Sequence, residues 1–492
     1  MLTILTTTDH QPEVESTIAS VNRLHELVTL VTNDGDIQQA SKLIIVDNNT
    51  IKKSLDWHDT EPPYLIPPVI FSEYHLLAII FYSLGNHQEA FEYVPQTSIL
   101  YKNLLAATNI RFGYEINQEL YENISVKHNK CVIHHYGSIA NRWSLEQLEK
   151  NYEDAIKTAE NDELKIFTAK HYINLLMDVQ KFSKAEALIH SLLNNAISEE
   201  AKNALNVQLA TAMMQQLQIP FDTKKLETIQ DLFQKSIAFY DKHQLYVNSG
   251  LLLIDASEIA NYQKDFVTSK DLINRALLIF KEEDVPEFLG EAGLRKATLL
   301  YTWSKNGHAQ YYKPAINAFQ DTLKVFKRDT HPQKFADIHH NMALIYSEIP
   351  VSAEEKPMWT AFCASSFKEA LAFYTKDKYP YENAMISHNY ATALINFPEA
   401  RLHNNLHKAL RLFENALQVR TAEQYPFERA STLINQLELY WLLHNETHDD
   451  EAQRLDEMRH KINEVKTLVE DIGMLEKVAF HEAKLQSLKT IL

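Results

Sequence analysis

Four prolines in the C-terminal half of the chain recur at a nearly constant spacing. Pro286, Pro332, Pro380 and Pro426 are 46, 48 and 46 residues apart. Three positions before each proline repeat as well: a small residue 17 before, a bulky apolar residue 13 before, and Ala or Thr 10 before. Offsets of four and three residues place these side chains on one helix face. Proline suits the first turn of the following helix, so the pattern predicts repeated helix pairs. The residues in this frame are Ser269, Ala315, Cys363 and Ala409; Ile273, Phe319, Phe367 and Phe413; and Ala276, Thr322, Ala370 and Ala416.

The N-terminal half carries a related pattern with a glycine at its centre. Residues 78–90 read as the end of one helix, a turn at Gly85 and the start of a second helix. Glycine accepts the left-handed backbone conformation that such a turn requires. Two further copies are Val28, Val31, Gly35, Ile37 and Ala40, and, without the glycine, Ile173, Leu176, Phe182 and Ala185.

This succession resembles the tetratricopeptide repeat (TPR) family over roughly residues 20–460, with C-terminal units longer than the family's usual repeat. The resemblance implies an all-α fold: an α-solenoid of stacked antiparallel helix pairs, a TPR-like superhelix, with a C-terminal capping helix. Only 9 Gly and 15 Pro in 492 residues agree with long helices. We expect a TPR-like unit at 1–47, a Pro-rich linker at 48–69, irregular repeats at 70–245, long repeats at 246–450 and amphipathic capping helices at 451–492.

The net charge of −17 bounds the choice of partner. A nucleic-acid-binding surface needs a basic stripe, and anionic lipid also attracts basic residues. We therefore expect a protein or peptide partner of basic or neutral character, with no nucleic acid and no membrane. Two distant cysteines, Cys131 and Cys363, do not make a disulfide framework. With no secretory leader pattern and no apolar run of spanning length, we expect a cytoplasmic protein.

The sequence offers little for catalysis or metal binding. His403 and His407 are four residues apart, as are His444 and His448, but Asn404 and Asn445 stand where a metalloprotease carries glutamate. Cys131 precedes His134 and His135 without a recognisable nucleophile motif, and no glycine-rich phosphate loop is present. We expect no catalytic residues, no cofactor and no metal site.

The candidate binding residues lie nine positions after the repeated prolines. Asn341, Asn389 and Asn435 share this place in three units, and Arg295 occupies it in the first. The TPR resemblance implies that residues here face the concave groove and hydrogen-bond the main chain of an extended peptide. His340 and His388, one residue earlier, would flank that groove. The alternative is that the asparagines only pack helix against helix.

These observations favour a non-catalytic protein-interaction scaffold or adaptor that binds a protein or extended peptide in the groove of the solenoid. A second hypothesis is a regulatory protein whose superhelix changes shape when a peptide binds. A third is an accessory subunit of an enzyme or defence complex. A free-standing enzyme is the least favoured class.

Overall fold

The computed structural model describes residues 2–32, 43–195, 198–397, 404–443 and 447–489. These residues fall into two compact units, an N-terminal unit of residues 1–265 and a C-terminal unit of residues 266–492.

A small mixed sheet opens the N-terminal unit. Its elements are β1 (Leu2–Thr6), α1 (Gln11–Ala19), β2 (Val28–Thr32), β3 (Leu43–Asp47), β4 (Thr50–Lys53) and β5 (Val69–Ile70). The strand order is β2-β1-β3-β4-β5, with β1 parallel to both of its neighbours and β4 antiparallel to β3 and β5. Asn48 and Asn49 both have positive φ at the β3–β4 turn, as a tight two-residue hairpin turn requires.

The expectation of a TPR-like unit at 1–47 is therefore wrong. Val28 and Val31 lie on strand β2, which pairs in parallel with β1, and Gly35, Ile37 and Ala40 lie outside the described residues. Apolar residues three apart fit a helix, but the β-branched run Val28–Thr32 favours a strand. The pairing of β2 with the buried strand β1 decides for a strand over a helix.

The expectation of a linker at 48–69 is also wrong. Its ends form strands β4 and β5, and between them Trp57, Tyr64 and Ile66 are buried. Prolines 62, 63, 67 and 68 keep this stretch out of helices and strands, but they leave it free to pack against the helices that follow.

Helices make up the rest of the N-terminal unit. They are α2 (Glu73–Ser83), α3 (His87–Glu92), α4 (Ile99–Phe112), α5 (Gln118–Glu122), α6 (Lys127–Tyr136), α7 (Leu145–Lys157), α8 (Asp162–Asp178), α9 (Phe182–Leu193), α10 (Glu199–Gln215), α11 (Thr223–Lys242) and α12 (Tyr246–Tyr262). Gly85 joins α2 to α3 with φ +85°, as predicted, and Gln180 takes the left-handed conformation in the copy without a glycine. Residues 106–145, which none of the three N-terminal copies covers, include the end of α4, all of α5 and α6, and the first residue of α7.

The C-terminal unit follows the proline frame. Its helices are α13 (Phe266–Glu282), α14 (Pro286–Lys305), α15 (Tyr312–Thr322), α16 (Pro332–Glu348), α17 (Lys356–Phe373), α18 (Pro380–Ile395), α19 (Asn405–Val419), α20 (Pro426–Tyr440), α21 (His448–Leu468) and α22 (Ile472–Lys489).

The four prolines are each the first residue of a helix, namely α14, α16, α18 and α20. The bulky residues of the preceding helices, such as Phe319, Phe367 and Phe413, are fully buried, and so are the small ones beside them, such as Ala370. The helical part of each unit is thus a TPR-like solenoid of antiparallel helix pairs, as predicted.

The last two helices cover the end of the C-terminal unit. Met458 and Val465 of α21 and Val478 of α22 are fully buried. Trp441, next to the end of α20, donates a hydrogen bond from Nε1 to Nδ1 of His481 on α22 at 2.9 Å. Among the described residues, no helix is both long enough and apolar enough to cross a membrane.

Candidate binding site

The predicted asparagines lie on the first helices of three consecutive pairs. Asn341 is on α16, Asn389 on α18 and Asn435 on α20, and each is half-buried. Arg295 is half-buried at the same offset on α14. Proline fixes where each of these helices begins, so residues nine positions later occupy equivalent places one unit apart.

Two of the asparagines bond to histidines of the preceding pair. Asn389 donates from Nδ2 to Nε2 of His340 at 3.0 Å. Asn435 donates from Nδ2 to Nε2 of His388 at 3.3 Å and to Oγ1 of Thr392 at 3.0 Å. The same polar contact therefore joins α16 to α18 and α18 to α20. The structure brings the two predicted residue types together in a way the sequence did not indicate.

Both histidines are neutral acceptors held between helices. Burial lowers the pKa of His340 to about 4. Burial, with a smaller contribution from the nearby guanidinium of Arg420, lowers the pKa of His388 to about 3. The His388 ring lies 5.7 Å from Phe413 and the His340 ring 6.2 Å from Phe367, centroid to centroid. Each histidine thus contacts the second helix of its own pair and the first helix of the next.

The tautomer of His388 follows from its other partner. Its Nδ1 lies at hydrogen-bonding distance, 3.1 Å, from Oγ1 of Thr432. That hydroxyl already donates to the carbonyl of Glu428 and accepts from Arg420. His388 therefore donates from Nδ1, which leaves Nε2 free to accept from Asn435.

Asn341 is bonded differently. Its Nδ2 donates to the main-chain carbonyl of Asp337, one turn earlier on the same helix, at 2.9 Å. Among the described residues, the Oδ1 atoms of Asn341, Asn389 and Asn435 accept no hydrogen bond. An amide oxygen in this state can accept a main-chain N–H from another chain without demanding a particular side chain.

The candidate thiols and histidines do not form a reactive centre. Burial raises the pKa of the Cys131 thiol to about 12, and it does the same for Cys363. Cys363 donates to the carbonyl of Ala343 inside the repeat packing. His403 and His444 lie outside the described residues, and the described part of the chain holds no cluster of three metal-ligating side chains.

Sequence reasoning missed an asparagine that binds the main chain of a segment distant in the sequence. Asn129 on α6 forms two hydrogen bonds with the backbone of Leu65, in the stretch expected to be a linker. The stretch around α6 fits the repeat frame poorly, so nothing in the pattern marked this residue.

No protein-family model matches the sequence, and no curated protein matches it. Among solved structures, the chain is similar to a signal transduction ATPase with numerous domains (STAND) from Pyrococcus horikoshii that has a tetratricopeptide repeat sensor. The two are 15% identical, with a TM-score of 0.45, over 80% of this chain and 53% of that one. This chain therefore spans about half the length of the archaeal protein.

The chain is also similar to a structure of Naa15/Naa10 bound to HypK-THB, with 13% identity and a TM-score of 0.37 over 85% of this chain and 75% of that one. At these similarities, the binding properties of the two proteins are not assigned to this chain. The fold assignment rests on the helix pairs of the chain itself.

Proposed function

We propose that this protein is a non-catalytic interaction scaffold that binds an extended peptide segment along the first helices of its C-terminal unit. The main support for the proposal is an asparagine side-chain amide that recurs at the same position of successive helix pairs. Asn341, Asn389 and Asn435 occupy equivalent places in three consecutive pairs, and the oxygen of each is available as an acceptor.

Repetition suits a ligand that is itself repetitive. The main chain of an extended peptide offers an N–H group at regular intervals, and a stack of helix pairs offers one amide oxygen per pair. Arg295 extends the series by one position toward the N-terminus.

In this proposal His340 and His388 position the asparagines and do not touch the ligand. Each accepts an amide N–H, which fixes the rotamer of the asparagine and directs its oxygen. This differs from the sequence-based expectation that the histidines flank the groove.

The charge of the chain supports a basic or neutral partner, and the location proposed for the complex is the cytoplasm. An accessory subunit of a larger enzyme or defence complex would be one form of this scaffold role. Burial raises the pKa of the Cys131 and Cys363 thiols to about 12, so the proposal assigns neither thiol a role as a nucleophile.

The test uses a peptide selected from a random display library against the full chain. Asn341→Ala is the most informative variant because the amide of Asn341 bonds only within its own helix. Its affinity for the peptide should fall several-fold, since one lost hydrogen bond is worth about 0.5–1.5 kcal/mol. Asn415→Ala, an exposed asparagine on the second helix α19, is the matched control and should bind normally. Equal affinities for both variants would reject the site.

One observation favours the regulatory alternative. The amide of Asn389 that would bind the ligand also bonds to His340 of the preceding pair, so ligand binding and repeat stacking share one side chain. A peptide that draws on this amide would alter the contact between pairs. Small-angle X-ray scattering with and without the selected peptide separates the hypotheses: a regulator changes its radius of gyration and a passive scaffold keeps it.

A further inference from the structure

Residues 57–65 cross the helices of the N-terminal unit and contact one pair after another. The hydroxyl of Tyr64 donates to Oδ1 of Asn103 on α4 at 2.8 Å. Leu65 bonds to α6, and Trp57 bonds to α8. The ring of His58 lies 6.1 Å from Tyr240 on α11. The hydrogen bond between Trp57 and Lys170 joins residues 113 positions apart in the sequence.

The helices hold this stretch mainly by its backbone. Asn129 accepts from the N–H of Leu65 at 2.9 Å and donates to its carbonyl at 2.7 Å. His128 donates from Nε2 to the carbonyl of Pro63 at 2.7 Å. Lys170 donates to the carbonyl of Trp57 at 3.1 Å. Four backbone groups are thus bound by three side chains, none of which belongs to the segment.

The three side chains are almost completely buried. Asn129 is 0% exposed, His128 3% and Lys170 5%. Burying an asparagine, a neutral histidine and a lysine is unfavourable unless each is hydrogen-bonded. Residues that served only to fill a core would be apolar here, so the polar side chains are best explained as receptors for a peptide backbone.

Side-chain contacts add selectivity at two points of the segment. Trp57 packs edge-on against Phe167 of α8, with ring centroids 5.3 Å apart. Asp59, whose side chain is 60% exposed, forms an ion pair with Lys170 at 2.7 Å. A suitable ligand therefore carries an aromatic residue, an acidic residue two positions later and a Pro-aromatic pair further on.

We propose that these helices form a second peptide-binding site, which residues 57–65 occupy as a ligand built into the chain. An extended peptide of the same pattern, supplied by a partner, competes for it. Leaving the site empty would remove the partners of the Asn129 amide, of His128 Nε2 and of Lys170 Nζ, although His128 Nδ1 would keep its contact with Thr168. The site therefore exchanges one peptide for another and does not stand open. None of these residues belongs to the asparagine series of the C-terminal unit, so either proposal can fail without the other.

The first experiment separates ligand from receptor. Residues 57–65 are replaced by a Gly/Ser stretch of equal length, and the probe is a fluorescein-labelled peptide of residues 54–67. The replaced chain should bind the peptide. The natural chain should bind it at least about 100-fold more weakly, because the tethered segment competes at roughly millimolar effective concentration. Asn129→Ala in the replaced chain should weaken binding about tenfold or more.

Asn151→Ala is the matched control, because the Asn151 amide bonds only to Gln147 on its own helix α7. It should bind the peptide as the replaced chain does. A folded replaced chain that does not bind the peptide would overturn the proposal, as would equal binding by the natural chain.

The second experiment keeps the natural chain and holds even if the replaced chain does not fold. Hydrogen exchange is measured on the full-length Asn129→Ala variant. A bound ligand should be released locally, with exchange rising at least about tenfold in peptides covering 57–65 while α4, α6 and α8 keep their protection. If all of these helices lose protection together with the segment, the segment is ordinary core and the proposal is wrong.

Discussion

Asn389 donates its side-chain N–H to His340 across the boundary between two helix pairs, at 3.0 Å. Asn435 and His388 repeat the contact one unit later. The two interpretations of the asparagine series, ligand binding and helix packing, are therefore not exclusive. The N–H side of each of these two amides joins neighbouring repeats, and the oxygen side is the acceptor that the proposed ligand would use.

The hydrogen bond from Asn389 to His340 predicts an effect on stability. Asn389→Ala removes the donor to a histidine nitrogen between helices and should lower the free energy of unfolding by about 1–2 kcal/mol. Asn415→Ala, exposed on α19, should change it by less than about 0.5 kcal/mol. Urea denaturation followed by circular dichroism measures both.

A double-mutant cycle then identifies the partner. If the bond to His340 carries the effect, Asn389→Ala should cost clearly less in a His340→Ala background, with a coupling of about 0.5–2 kcal/mol. Additive effects of the two substitutions would mean that the contact contributes nothing to stability.

The small residues at the helix crossings give a second prediction. Ala370 and Ala416 are fully buried, and Phe at either position has no room. Each substitution should overpack the crossing and cost about 1–3 kcal/mol. Ala361→Phe, at an exposed position of the same helix as Ala370, is the control. A melting temperature that responds equally to Ala361→Phe and Ala370→Phe would contradict the helix register.

The buried histidines predict a loss of stability in mild acid. Burial lowers the pKa of His128 and His340 to about 4 and, with Arg420 nearby, that of His388 to about 3. In the unfolded chain histidine titrates near 6.5. Between these values the unfolded state binds more protons, so the contribution is complete above about pH 6.5 and is lost as the pH falls toward 4.

Urea midpoints at pH 7.5, 6, 5 and 4 should therefore fall through this window. His388→Gln, which cannot take up the proton, should show a shallower decline than the natural chain even if it is less stable at pH 7.5. Parallel declines in the two proteins would mean that His388 is already solvated in the folded state.

The helical part of the fold was predictable because each repeat is specified locally. A proline begins the first helix and fixes its frame, and the bulky and small residues of the second helix then fall on one face. Long-range contacts in such an array join neighbours only, so a pattern found in one unit predicts the next.

The sheet was not predictable by the same route. Strands β1, β2 and β3 pair across tens of residues, and the short apolar run Val28–Thr32 fits either periodicity when considered alone. The β-branched residues favour a strand, and the parallel pairing with β1 fixes it. The packing of segment 57–65 was unpredictable for the same reason. Its prolines indicate an irregular backbone, but they do not indicate which distant helices it packs against.

The candidate site was predictable in position but not in geometry. Equal offsets from the prolines place Asn341, Asn389 and Asn435 in equivalent positions. Their bonds differ because only the units of α16 and α18 carry a histidine at the preceding place, and these serve the asparagine of the following unit. Asn341 follows a unit with Leu294 there, and its amide turns to its own helix.

The last prediction concerns the end of the C-terminal unit. Val478 of α22 is fully buried, whereas Phe480, two residues later, is 66% exposed. The buried face of α22 also includes Leu485, and His481 accepts the indole N–H of Trp441. Helix α22 thus covers apolar surface that a solenoid would otherwise present to water.

Val478→Asp should detach this helix, because an unpaired carboxylate is too costly to bury against that surface. The protein should then self-associate, as should a chain lacking residues 473–492. Phe480→Asp changes a neighbouring apolar residue to the same charge on the exposed face and should remain like the natural chain. Size-exclusion chromatography with light scattering, alongside thermal melts, measures both effects. If the truncated chain keeps its size and stability but no longer binds a selected peptide, α22 is a binding element and not a cap.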